Sequence, residues 1–242
     1  MNQSTANKLI LILALMAFHY HNAQQKILIY TNVTGYKHSA IPSGIRAVYE
    51  IAEQHAIQVD TTTNNLDFNS ENLEQYKAVI FISTNPGTFK EEQKKSFKHY
   101  IRNGGGFIGI HSASAGIRDW PWYTKMVGAL FKNHPPPTTA RLNKTHLASE
   151  NELFDEFPNA MDWQDEWYNF ENIQKDIQVI LTVDSSSYPS GKGNTQNPVA
   201  WYHNYDGGKA FYIALGHFSY HYTDFFYRNL IASALIYVTR SD

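Results

Sequence analysis

The sequence predicts an α/β domain built on a doubly wound, mostly parallel β-sheet with helices on both faces and an antiparallel extension. Three observations carry that expectation. Short apolar runs alternate with charged, helix-patterned stretches through the first half of the chain, as successive βαβ units require. Two of those runs, AVIFIS (Ala78–Ser83) and GFIGI (Gly106–Ile110), are almost wholly apolar, as strands covered on both faces must be. Late in the chain, two β-rich runs flank Asp206–Gly208, a hairpin signal that marks antiparallel pairing.

KILIYT (Lys26–Thr31) is the first strand, and a glycine-containing loop follows it. Pro42 then opens a helical pattern with Ile45, Val48, Tyr49 and Ala52 on one face. IQVDTTT (Ile57–Thr63) and AVIFIS supply two more strands. FKEEQKKSFKHYIRNGG (Phe89–Gly105) reads as a charged amphipathic helix stopped by glycine, and GFIGI is the next buried strand. DIQVILTVD (Asp176–Asp184), the hairpin within PVAWYHNYDGGKAFYIALGH (Pro198–His217) and a closing helix from Asp224 to Val238 complete the set. HPPP (His134–Pro137) is a rigid loop, and no repeat or linker interrupts the chain, so one domain over residues 24–242 is expected.

Residues 1–23 read as an export signal: Lys8 precedes the apolar LILILALMAF (Leu9–Phe18), and Ala23 offers a small-residue cleavage point. The run is short for a bilayer span, so the expectation is cleavage and no stable membrane insertion, with a periplasmic location in a Gram-negative cell. The sequence has no cysteine, which rules out disulfides and thiolate chemistry. A net charge of -2 without any basic run gives no electrostatic footprint for nucleic acid. Aromatic residues make up 14% of the chain, and such rings suit the flat faces of sugars as well as ordinary cores. Small neutral or weakly charged ligands are the partners that fit this charge balance.

The segment GGGFIGIHSASAG (Gly104–Gly116) carries the sharpest chemical signal. Its three glycines precede the strand, so they stop a helix rather than cradle a phosphate. After the strand, small residues permit a tight turn like a nucleophile elbow, yet G-x-S-x-G is absent and His111 occupies the exposed tip. His38 follows the first strand and His217 ends FYIALGH, so three histidines are expected at one edge of the sheet, where open α/β folds gather ligands. His134, on the proline-stiffened loop, is a fourth. His55 and His99 read as surface residues, while His146, His203 and His221 stay unassigned.

DWQDEWYNF (Asp162–Phe170), if extended, sends Glu166 and Tyr168 to one face and Asp165 to the other. Glu166 then either works as an acid or base, binds a divalent metal together with His111 and His217, or caps a surface turn. Trp120 and Trp122 in RDWPWY form either core packing or a stacking platform for substrate.

Taken together, TGYKHSAIPSGI (Thr34–Ile45), GGGFIGIHSAS, DWPWYTKMVGALFKNHP, DEWYNF and PVAWYHNYDGGKAFYIALGH resemble the ThuA-like (trehalose-utilisation) family over nearly all of the chain after residue 23. The resemblance implies a flavodoxin-like sheet similar to that of class I glutamine amidotransferases. Those enzymes keep a cysteine on the elbow where this chain has His111, so thiolate glutamine hydrolysis is excluded. The family's association with oxidised sugars implies isomerase, lyase or hydrolase chemistry on a sugar or 3-keto-glycoside. His111, Glu166 and His217 are the catalytic candidates, with or without a divalent metal, and His38, Trp120, Trp122, His134 and Tyr168 are the candidate substrate contacts. Two rivals are a noncatalytic carbohydrate-binding protein and a serine hydrolase using Ser112 or Ser114.

Overall fold

The structure is a computed structural model that describes residues 24–84, 89–189, 191 and 196–240; the expected export signal lies outside the described residues. In chain order its elements are β1 (Lys26–Tyr30), α1 (Ile41–Gln54), β2 (Gln58–Thr62), α2 (Ser70–Leu73), β3 (Ala78–Ile82), α3 (Glu91–Arg102), β4 (Gly106–Ile110), α4 (Pro121–Val127), β5 (Leu130–Asn133), β6 (Thr138–Lys144), α5 (His146–Ser149), β7 (Ala160–Asp165), β8 (Asn169–Glu171), β9 (Gln178–Asp184), β10 (Gln196–Tyr205), β11 (Gly208–Ile213) and α6 (Phe225–Thr239).

Nine strands form one sheet in the order β2-β1-β3-β4-β11-β10-β9-β6-β7. The first five run parallel, and the other four extend the sheet antiparallel. This is the expected doubly wound architecture. Strands β3 and β4 are buried at every position. Phe81 stacks on Phe97 of α3, whereas a Cβ on Gly44 of α1 would sit 2.9 Å from Ile82 Cγ2. Neighbouring residues of a strand point to opposite faces, so α1 and α3 cover opposite sides of the sheet.

The buried stripe of α1 is Ile41, Gly44, Ala47, Val48, Ile51 and Ala52, while Tyr49 is 42% exposed. The expected face is therefore rotated. Gly44 is the point of closest approach, where the helix lies against Ile82 and Tyr222 with no room for a Cβ, and Tyr49 is turned outward. Each fully buried Val or Ile here contributes about 1.5–3 kcal/mol.

The hairpin forms as expected between β10 and β11, with φ of +47° at Asp206 and +98° at Gly207. Two positive φ values are what the tight primed turn needs. A second, two-stranded sheet of β5 and β8 was not anticipated. For the site, the decisive feature is register: Ile82, Ile110 and Ile213 are paired side by side at the carboxyl ends of β3, β4 and β11. The residues that follow them meet at one edge.

Candidate functional site

A cavity of about 460 Å³ opens at that carboxyl edge, lined by Tyr36, His38, Ser112, Ala115, Phe131, His134, Pro137, Glu166, Tyr168 and His217. Its size falls within the roughly 300–1,000 Å³ of small-molecule sites. His38 comes from the loop after β1, His111 from the end of β4 and His217 from the turn after β11. The expected convergence of the three histidines is present, and Glu166 and Tyr168 reach them from the link between β7 and β8. The strand breaks after Asp165, yet Glu166 and Tyr168 still share a side, as alternation anticipated.

His111 is not on an exposed tip: its side chain is 0% exposed. His38, Tyr168 and Glu166 enclose the ring, which the local sequence around the elbow could not show. Its backbone takes φ +54°, a left-handed conformation that costs a non-glycine residue on the order of 1 kcal/mol. The ring's Nδ1–H donates to the Ala214 carbonyl at 2.8 Å, because that carbonyl can only accept. In the neutral ring Nε2 then carries the lone pair and faces the centre. Around it lie the Tyr168 hydroxyl at 2.9 Å, His38 Nε2 at 3.1 Å and Glu166 Oε2 at 3.3 Å. Glu166 Oε2 is also 3.2 Å from His217 Nδ1 and 3.5 Å from His134 Nε2. His38, His111, Glu166 and His217 each offer one donor atom, all within 4.8 Å of one another, so these four residues could hold a cation.

Burial raises the Glu166 carboxyl pKa, but hydrogen bonds and charge from His111 and His217 together outweigh it and hold the group well below the usual carboxylate range. His217 is raised, first by its hydrogen bond to Glu166. His38 is pushed down to about 3, first by burial and then by the neighbouring histidines. Burial is also the main reason that Tyr168 lies well above its ordinary value. Near neutral pH the centre thus combines an ionised Glu166, a neutral His38 and a phenol that keeps its proton.

Asp165 holds this arrangement together and was not singled out as a site residue by sequence reasoning. Its carboxylate is 0% exposed. It accepts from the main-chain N–H groups of Glu166 at 2.8 Å, Gly216 at 2.9 Å and His217 at 3.3 Å. Strand β7 is the far edge of the sheet, so this clasp ties the antiparallel extension to the turn after β11 and sets Glu166 against His217. Gly216 sits at φ +119°, and a Cβ there would collide with the Tyr227 hydroxyl. His221 Nδ1 lies 3.4 Å from Asp165, and burial lowers this imidazole's pKa.

His134 and Tyr168 line the cavity, but Trp120 and Trp122 do not. The two indoles stack on each other at 4.9 Å and pack against Phe97 of α3, and Trp122 Nε1 donates to Asp206 in the hairpin turn at 2.6 Å. Both indoles pack, the other of the two alternatives the sequence left open, and neither lines the cavity. This corrects the stacking-platform expectation. His38 lines the cavity and also belongs to the inner cluster with His111. His55, His99 and His146 are exposed, while His203 is buried and bonded through Nε2 to the Met126 carbonyl at 2.9 Å. Ser114 Oγ is paired with the Tyr212 hydroxyl at 2.7 Å, and Ser112 Oγ has no hydrogen-bond partner among the described residues. Neither serine is activated by a histidine in this geometry, which removes the support for a serine hydrolase.

Fold and site together define a flavodoxin-like α/β domain that carries a buried histidine–carboxylate centre at the carboxyl edge of its sheet. The chain belongs to the ThuA family, described as trehalose utilisation, which matches residues 26–238. Among solved structures it is similar to a ThuA-like protein from Bacteroides uniformis, with 23% identity, 93% of this chain and 95% of that one covered and a TM-score of 0.76. A ThuA-like protein from Parabacteroides merdae aligns at 16% identity over 90% of this chain and 92% of its own, with a TM-score of 0.72. A β-galactosidase from Bacillus circulans sp. alkalophilus shares the fold over 87% of this chain but only 30% of its own, with 12% identity and a TM-score of 0.52. No curated protein matches the chain.

Proposed function

We propose that this protein is an exported, carbohydrate-active enzyme that performs acid–base chemistry at a sugar carbonyl, with a 3-keto-glycoside as substrate. The observation that carries the reading is the convergence of four side chains: His38, Glu166 and His217 line a cavity sized for a small molecule, and His111 lies buried against them. The family's link to trehalose utilisation supplies the substrate class. An electrophile held at this cluster would polarise the ketone oxygen, so that the hydrogen on the adjacent carbon becomes acidic. Two protic groups flank it. His134 donates Nδ1–H to the Pro135 carbonyl at 2.9 Å, which leaves Nε2 facing the cavity to take that proton. The Tyr168 O–H, directed at His111 Nε2 at 2.9 Å and beside the His134 ring, donates to developing negative charge on oxygen once substrate replaces that contact.

The test is incubation of purified protein with a 3-keto-glycoside, followed by product analysis. Turnover should fall by about 100-fold or more in His111→Ala and in Glu166→Gln. Saturable binding of the sugar without turnover would instead make this a noncatalytic carbohydrate-binding protein.

A further inference from the structure

We infer that the electrophile of this centre is a divalent transition-metal ion held by His38, His111, His217 and Glu166. The inference rests on reading this cluster as the reacting centre, but it does not require the substrate to be a sugar. Four separate segments, after β1, β4, β7 and β11, each deliver one donor to the same point. The Nε2 of a neutral His111 ring meets His38 Nε2 at 3.1 Å and Glu166 Oε2 at 3.3 Å, and Glu166 Oε2 also meets His217 Nδ1 at 3.2 Å, so more electron pairs converge here than there are protons to pair them. Ligands about 2.0–2.2 Å from a zinc-sized ion lie roughly 3.0–3.5 Å from one another, the spacing seen here. The rings also meet edge-on, at 85° for His38 with His111 and 89° for His38 with His217, so nitrogen tips converge and faces do not stack.

The surroundings are those of a ligand set fixed in advance. His111 Nδ1–H is committed to the Ala214 carbonyl, the outer contact that orients metal-bound imidazoles, and Asp165 grips the main chain at Glu166 and His217. Three imidazoles and one carboxylate select a borderline divalent ion such as zinc, iron or cobalt; magnesium and calcium favour sets made of oxygen alone. His38 is the new member of the set, since by sequence it reads as a substrate contact. The side open to the cavity faces Ser112, whose Oγ is buried and without a partner among the described residues, ready to hold a hydroxyl of whatever binds the ion.

The experiment is titration of chelator-stripped protein with Co²⁺, followed by its visible absorption, and with Zn²⁺, followed by calorimetry. One ion per chain is expected. His38→Ala and Glu166→Gln should each weaken binding by at least about ten-fold. Metal should also raise the thermal midpoint of the wild type more than that of either variant. Metal-free midpoints check that both variants fold, and Glu166→Gln changes almost no volume. Absence of uptake, or affinity unchanged in both folded variants, would overturn the inference. So would full turnover of a 3-keto-glycoside by stripped protein, although the proposed function would then stand. Stoichiometric metal at these ligands without turnover of any keto sugar supports the site and defeats the substrate reading.

Discussion

Asp165→Asn separates the clasp from the chemistry it supports. The substitution keeps shape and volume, so no cavity term enters. Asp165 accepts three main-chain N–H groups, at 2.8, 2.9 and 3.3 Å, with both of its oxygens. Asparagine offers one acceptor oxygen and turns an NH₂ toward the remaining donors, leaving at least one buried amide unsatisfied at about 1–3 kcal/mol. Loss of the charge weakens the surviving bonds but also relieves the desolvation of a buried carboxylate. The net expectation is a loss of about 3 kcal/mol. For a domain of this size that corresponds to a fall in Tm of roughly 6–12 °C. Because the clasp sets Glu166 against His217, metal affinity should fall by about 10–100-fold as well. Urea unfolding of metal-free protein followed by circular dichroism, together with Co²⁺ titration, reads both effects. An Asn variant within 0.5 kcal/mol of wild type, with unchanged affinity, would refute the reasoning.

Other perturbations follow from particular contacts. Trp120→Ala should destabilise by about 3–5 kcal/mol and leave turnover per folded molecule unchanged, because the indole packs on Phe97, Trp122 and Tyr123 and does not line the cavity. A loss of sugar affinity matching wild-type stability would restore it as a substrate contact. His38 has its folded pKa pushed from 6.5 down to about 3, so between those values the unfolded chain binds a proton that the folded chain refuses. Metal-free stability should therefore fall on acidification below pH 6.5, with a shallower slope in His38→Gln; identical slopes would contradict this. Mass spectrometry of the protein from its native host should find a mature chain beginning near Gln24, and an intact Met1 would contradict export.

The buried strands β3 and β4 were legible because a strand covered on both faces carries apolar residues almost throughout, and the three histidines were legible because each comes after a largely buried strand, β1, β4 or β11. The same local logic misplaced Trp120 and Trp122: an aromatic cluster looks alike in sequence whether it packs on a helix or faces a ligand. It also misjudged the exposure of His111, since the residues that enclose the ring arrive from after β1 and after β7, far along the chain. Glu166 was visible beside its aromatic neighbours, but Asp165 was not seen as a clasp. Its partners at residues 216 and 217 meet it only after the antiparallel half of the sheet has formed. The pairing of β5 with β8 was hidden for the same reason, as it joins two short segments separated by β6 and β7.

Proton exchange at the sugar tests most directly whether this centre activates the carbon beside a carbonyl. A 3-keto-glycoside is incubated with the protein in D₂O and followed by NMR. Deuterium incorporation next to the ketone is expected well above the rate in buffer, reduced by about 100-fold or more in Glu166→Gln and in His134→Ala. Exchange no faster than buffer with the folded wild type, or exchange undiminished in both variants, would contradict it.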